Sequence, residues 1–509
     1  MYKEASVDEV SSPSAASPSS DINRFDAIIV GAGLGGLLSA AQLLDRGKRV
    51  LVLERLPHVG GRFTAKNFHG VQVSTGAVHM IPFGSSGVLA QMLNRLRIPH
   101  RFFDADVFGS FHVHGKQYRS RGLLGVARFL GPIQFFWFLR LGYLMFLHPL
   151  PAQERVLPFD LWLEKHIPIE RNPQLVAFFA AISRFALSLE LSQVSTAEVI
   201  RITKNMFRYG APAIVQGGCG ELSRQLEQHI LTHGGEIRLS CDVAQLLQAD
   251  GQIMGVRVRD KATKEESVLL APLVISDIGP RATAALLRSH RVTQAEVLKP
   301  KLVRDSEDDE SRDAENEAQT GQPQEAVGLK VHILSDVSLI PHKGIMYCLD
   351  TQRIAGIVQP TNSDPDLAPA GKHLLISHQV IRSNNVEEER ALALADLRLL
   401  FGEAFDAHCR VLTMGTYRGE WPVNRVAQGE DVSPALALSG LYMVGDAVKP
   451  AGYLMVEGVA QSVNRFLDLL DYADSATRHV RRPRNVTQPP SRLNALRWLW
   501  KAPGNSGRV

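Results

Sequence analysis

Four apolar residues, Ala27–Val30, run without a polar interruption and lead straight into the turn G-A-G-L-G-G. A short unbroken run of this kind reads as a strand buried on both faces. Residues 35–46 then keep a small-residue apolar pattern of helix length, stopping at Gly47, where a C-terminal glycine belongs. A second run, 49–53, ends on Glu54. Strand, glycine turn, helix and strand make a complete βαβ unit.

Further along, residues 87–96 are helical in pattern, and 101–119 alternate as strands do. The most apolar stretch, 129–147, approaches the length of a bilayer span, but Gly131 and Pro132 break its start and Arg140 sits inside it. A charge at mid-span is costly, which argues against a transmembrane helix. Two readings remain: a buried helix lining an apolar cavity, or a helix that dips into a membrane surface. Residues 159–208 read as amphipathic helices, 175–187 among them. Gly217, Gly218 and Gly220 open a helix without a convincing strand before it, so a second dinucleotide site for a nicotinamide is not expected. From 328 to 423 the pattern is β, with strands at 329–334, 344–349, 355–359 and 374–380. One helix there, Val386–Phe401, is opened by three glutamates, as a helix start favours.

Composition narrows the classes. A chain of 509 residues exceeds a single core and divides into two or three domains. A net charge of +4 implies no polyanion or nucleic-acid partner. Four cysteines without a C-x-x-C pair read as reduced thiols of a cytoplasmic protein, and seventeen scattered histidines show no metal spacing. The Ser/Pro/Ala-rich leader, 1–23, has neither the apolar core of a signal peptide nor the charge of a transit peptide. Residues 301–325 hold nine acids against three bases, which describes a solvated insertion. The stretch 475–509 carries eight Lys or Arg and no acid, with Trp498 and Trp500 near its end, and suits an anionic membrane surface.

The chemistry of the first motif follows from its geometry. Gly31 permits a tight turn, Gly33 lets backbone N–H groups approach a pyrophosphate, and Gly36 lets the helix pack on the sheet. The pyrophosphate sits at the positive helix start, and Glu54 is placed to accept ribose hydroxyls. Near the other end, an apolar strand ends at Gly445-Asp446 and a helix runs over 456–470.

The run from Glu54 through Gly60, Gly61 and Arg62 resembles the E…GGR signature of the flavoprotein superfamily that includes amine oxidases and phytoene desaturases. Residues 440–447 resemble its C-terminal FAD motif, and T-N-S-D-P-D-L-A-P-A-G-K-H-L-L resembles the phytoene desaturase/carotenoid isomerase branch. The resemblance implies FAD, held by Gly31, Ala32, Gly33, Leu34, Gly35, Gly36, Glu54, Arg55, Gly61, Arg62, Val243, Gly445, Asp446, Met455 and Val456. Within that set Arg62 reaches the pyrophosphate, Val243 the adenine side and Asp446 the ribityl chain, while Tyr453, Leu454 and Met455 wall the flavin. The family's acidic residue near the flavin is replaced here by Thr75.

The implied fold is α/β: a Rossmann-type FAD domain from 24–95, 211–295 and 436–472, and a discontinuous α+β substrate domain of antiparallel sheet plus helices from 96–210 and 327–435, with an acidic insertion at 301–326. The implied activity is desaturation of a lipophilic isoprenoid-type substrate. Polyene isomerisation, amine oxidation with Tyr417 and Trp421 as a cage, and a non-catalytic flavin-binding role are the alternatives. Candidate catalytic residues are His79, Glu420 and Tyr453, and membrane contact is expected through 129–147 and 475–509.

Overall fold

The computed structural model describes residues 23–76, 78–107, 109–120, 122–287 and 325–477. The leader at 1–22, the insertion up to residue 324 and the basic stretch after 477 lie outside the described residues.

Ala27–Val30 and Val50–Leu53 pair in parallel, and Leu273–Ser276, Leu441–Met443 and Glu236–Arg238 complete a five-stranded parallel sheet. The unbroken apolar runs are explained by its two covered faces. Ala27, Ile29, Val50 and Val52 pack against the helices Leu34–Asp45, Gly218–Thr232 and Met455–Thr477. Their alternates Ile28, Val30, Leu51 and Leu53 pack against an antiparallel meander of Cys241–Ala249, Gln252–Asp260 and Glu266–Leu270. Burying each such side chain is worth about 1.5–3 kcal/mol, so neither face can be polar. The first helix ends before Gly47, whose φ is +72°.

The second domain is a seven-stranded sheet in the order Cys409–Tyr417, Gly328–Ser335, His373–Val380, Ile354–Val358, Ile345–Cys348, Gly109–Val113, Lys116–Arg119. It is mixed rather than antiparallel, because Gly109–Val113 lies parallel to Ile345–Cys348. Parallel neighbours need a long crossover, and the chain between them supplies one. Segment 96–210 therefore contributes strands as well as helices. The strand Ala213–Val215 pairs antiparallel with Met80–Ile81 and Phe102–Asp104, outside the parallel sheet.

The long apolar helix spans Gly122–Phe146 and breaks at Gly131, where φ is 70°. Phe129, Leu130, Leu141 and Met145 are buried, whereas Ile133 is 70% and Phe136 61% exposed. By length and composition alone it could cross a membrane.

Candidate functional site

A cavity of about 1380 Å³ opens at the C-terminal ends of the parallel strands, beside Val30, Leu53 and Met443. That is where ligands bind in open parallel sheets. It continues to Lys330 and His378 on the second sheet and to Phe185 on the helix Pro173–Leu187. No residue of 122–146 lines it, so the reading of that segment as a cavity wall is corrected. Of the segment's large apolar surface, the core takes only one stripe.

The glycine turn is built by close approach. A Cβ on Gly36 would collide with the Gly31 carbonyl and meet Ile29 of the strand, which is the helix-to-sheet contact expected of it. The Ala32 N–H donates to Glu54 Oε2 at 2.7 Å, and the Leu56 N–H donates to Oε1 at 2.8 Å. Ala32 thus serves through Glu54 rather than lining the cavity, while Gly31, Gly33, Leu34, Gly35, Glu54, Arg55, Gly61 and Val243 do line it. The Gly60 N–H donates to the Ala32 carbonyl, tying the G-G-R segment to the turn.

Arg62 then reaches across the chain. Its Nη2 lies 2.7 Å from Asp446 Oδ1, its Nη1 donates to the carbonyls of Pro422 and Val423, and Arg425 adds a backbone N–H at 2.7 Å and Nη1 at 3.2 Å to the same carboxylate. Burial alone would raise the Asp446 pKa, but the two guanidiniums outweigh it and hold the carboxyl well below its usual range. The two motifs, 384 residues apart, are one electrostatic unit.

Several expectations are corrected. His79, with φ of +59°, is fully buried: Nε2 bonds the Gln72 carbonyl and Nδ1 accepts the Cys219 N–H. Burial lowers its pKa to about 4, and both ring nitrogens are used, so it is a structural histidine. Glu420 lies at the cavity rim, its side chain 77% exposed and paired with Arg55, so it faces solvent rather than the enclosed end of the cavity. Of Tyr453, Leu454 and Met455, only Met455 lines the cavity; the Tyr453 ring packs edge-on against Phe83. Val456 lines it too, one residue into the helix that starts at Met455. The Thr75 hydroxyl turns back to the carbonyls of Gly61 and Thr64.

Three residues were missed. Asp277 sits under the glycine turn and accepts the Gly36 N–H at 3.0 Å. Asn424 lines the cavity, and its buried Nδ2 lacks a partner among the described residues. Lys330 is buried, its Nζ lies 4.8 Å from the Tyr417 ring centroid, and burial lowers its pKa to about 7. In the strand G-L-K-V-H-I-L-S it alternates with apolar residues as a solvent-facing lysine does, so the sequence held no signal for it.

Fold and site define a two-domain dinucleotide-binding α/β protein. A family model for flavin-containing amine oxidoreductases matches residues 34–465, and the chain belongs to that family. It is 31% identical to an uncharacterized protein of Methanocaldococcus jannaschii over 88% of this chain and 99% of that one. The crystal structure of an oxidoreductase from Methanosarcina mazei aligns with a TM-score of 0.75 at 32% identity, covering 87% of this chain and 99% of that one. More distantly, it is 24% identical to the chloroplastic prolycopene isomerase of Arabidopsis thaliana over 46% of this chain and 45% of the relative. It is 23% identical to the lycopene-forming phytoene desaturase of Pseudescherichia vulneris over 46% and 52%. A putrescine oxidase shares the fold, with a TM-score of 0.60 at 15% identity over 88% and 99%. The protein is an FAD-dependent oxidoreductase. The glycine backbone at Gly31, Gly33, Gly35 and Gly61 and the Arg62–Asp446 pair, all lining one cavity at the ends of the parallel strands, fit that cofactor, whereas Gly445 does not line the cavity.

Proposed function

We propose that this flavoprotein desaturates a lipophilic, isoprenoid- or carotenoid-type substrate that it meets at a membrane surface. The observation that carries the reading is the end of the cavity away from the glycine turn. Val78, Met80, Phe185 and Val423 line it with apolar surface, and Lys330 brings a buried amine. Forming a double bond removes a hydride and a proton from adjacent carbons. Bound FAD supplies the hydride acceptor. Lys330 Nζ takes the proton, since with a pKa of about 7 a large share of it is neutral near pH 7.

Distant similarity to the prolycopene isomerase and the phytoene desaturase supports the substrate class. Amine oxidation is less well supported by the side chains. The Tyr417 ring is occupied by Lys330 Nζ rather than open as half of a cage, although Trp421 does line the cavity. The isomerase similarity supports a second reading, double-bond isomerisation without net oxidation. The outward apolar face of Gly122–Phe146 supports contact with lipid, from which such a substrate would come.

The test is anaerobic incubation of the FAD-loaded protein with a polyene such as phytoene. Bleaching of the flavin absorbance together with a product gaining a double bond is expected. An isomerised product formed only after prior chemical reduction would support the second reading. Bleaching by simple amines but not by polyenes would overturn both.

A further inference from the structure

Asp277 stands against the glycine turn, at the start of the helix Leu34–Asp45. It follows the strand Leu273–Ser276, whose Ser276 is in register with Val30, so its side chain emerges beside the glycine turn. Its own N–H donates to the Val30 carbonyl at 2.9 Å, which fixes the backbone there. Asp277 Oδ2 accepts the Gly36 N–H, and the carboxyl fills the space that Gly33, Gly35 and Gly445 leave by lacking a Cβ. An internal carboxylate thus takes the N–H group that a phosphate oxygen takes at the start of such a helix.

The charged groups facing it are Arg62, Arg425 and Asp446. Both arginines are engaged by Asp446, so a pyrophosphate entering beside an ionised Asp277 would meet two carboxylates and only two shared cations. Burial raises the Asp277 pKa to about 7, with the Asp446 charge adding to it, against the Gly36 N–H and the two guanidiniums.

We propose that Asp277 is a proton-linked gate for the cofactor: FAD binds with uptake of one proton by this carboxyl, which then donates a hydrogen bond to a pyrophosphate oxygen. The gate concerns cofactor binding alone and stands whether the substrate is a polyene or not.

The test is titration of full-length apoprotein with FAD, followed by flavin fluorescence between pH 6 and pH 9. One linked proton makes the dissociation constant rise about tenfold from pH 6 to pH 8. ADP-ribose, which carries the pyrophosphate as a diester that does not titrate in this range, should show the same slope, and adenosine should show none. Asp277→Asn should bind FAD with no slope and more tightly than the wild type at pH 8. A wild-type dissociation constant that is flat across this range overturns the gate, as does a slope retained in Asp277→Asn. Should that variant fail to fold, equal slopes for ADP-ribose and adenosine on the wild type overturn it as well.

Discussion

Lys330 is costly where it is. An amine enclosed in a strand core must lose its proton or find an anion, and here burial brings its pKa from the usual lysine range to about 7. If Nζ accepts the substrate proton, only the neutral amine is competent. The rate should therefore climb with pH through about 7 and level off above it. Lys330→Met should lower kcat/KM by about 100- to 1000-fold with FAD content unchanged, the scale of a lost general base. Lys330→Arg, which stays protonated, should not rescue it. Full activity in Lys330→Met would remove the residue from the chemistry. Asp446 acts on the cofactor side instead. If Asp446 accepts from the cofactor's ribityl hydroxyls, as the family resemblance implies, Asp446→Ala removes that acceptor along with the shared partner of Arg62 and Arg425. Loss of a hydrogen bond to a charged group is worth about 1.5–3 kcal/mol, so FAD should bind about 10- to 100-fold more weakly, as fluorescence titration would read. Lys330 left no signal of its own, because with His332 it alternates with Leu329, Val331 and Ile333 as the polar face of an ordinary strand does, and only the packed structure shows that this face is buried too. Asp277 was no more legible, since a carboxyl after a strand is ordinary until the neighbouring strand is known to end in a glycine turn.

At the scale of elements, what the pattern could show depended on how local the cause was. The first βαβ unit was readable to within a residue or two, because both faces of its sheet are covered and the helix ends where Gly47 permits. Four strands of the second sheet, Gly328–Ser335, Ile345–Cys348, Ile354–Val358 and His373–Val380, were readable one by one, whereas Cys409–Tyr417 was not picked out. The parallel pairing of Gly109–Val113 with Ile345–Cys348 was not, as it joins segments more than 200 residues apart through a choice made by the whole sheet. The helix Gly122–Phe146 left two readings because composition states how much apolar surface exists, not which side the core takes. The answer is a stripe: Phe129, Leu141 and Met145 go inward, and Ile133, Phe136 and Tyr143 outward. If that outward face meets lipid, Ile133→Glu with Phe136→Glu should cut binding to phosphatidylcholine vesicles at least tenfold. Each side chain removed from lipid forfeits about 1.5–3 kcal/mol. Unchanged co-sedimentation of the double variant would rule this face out as the contact.

At the scale of the whole molecule, the cofactor site is a joint between chain ends. Glu54 and Arg62 come from the first hundred residues, Asp277 from the middle, and Arg425, Asp446 and Met455 from the last hundred. Lys330 places the second sheet on the same cavity. A ligand touching all of these opposes any opening that separates them, but has no purchase on an element that unfolds alone. With FAD at 100 times its dissociation constant, the native state gains about 2.7 kcal/mol over every state that cannot bind. Hydrogen exchange should therefore slow about 100-fold at amides of Ala27–Val30, Leu273–Ser276 and Leu441–Met443, which exchange through openings that break the site. Amides of the exposed part of Gly122–Phe146, which lines none of the cavity, should exchange at the same rate with and without FAD. Protection confined to the glycine turn would mean that the two motifs open independently, and that the Arg62–Asp446 contact does not couple the two ends of the chain.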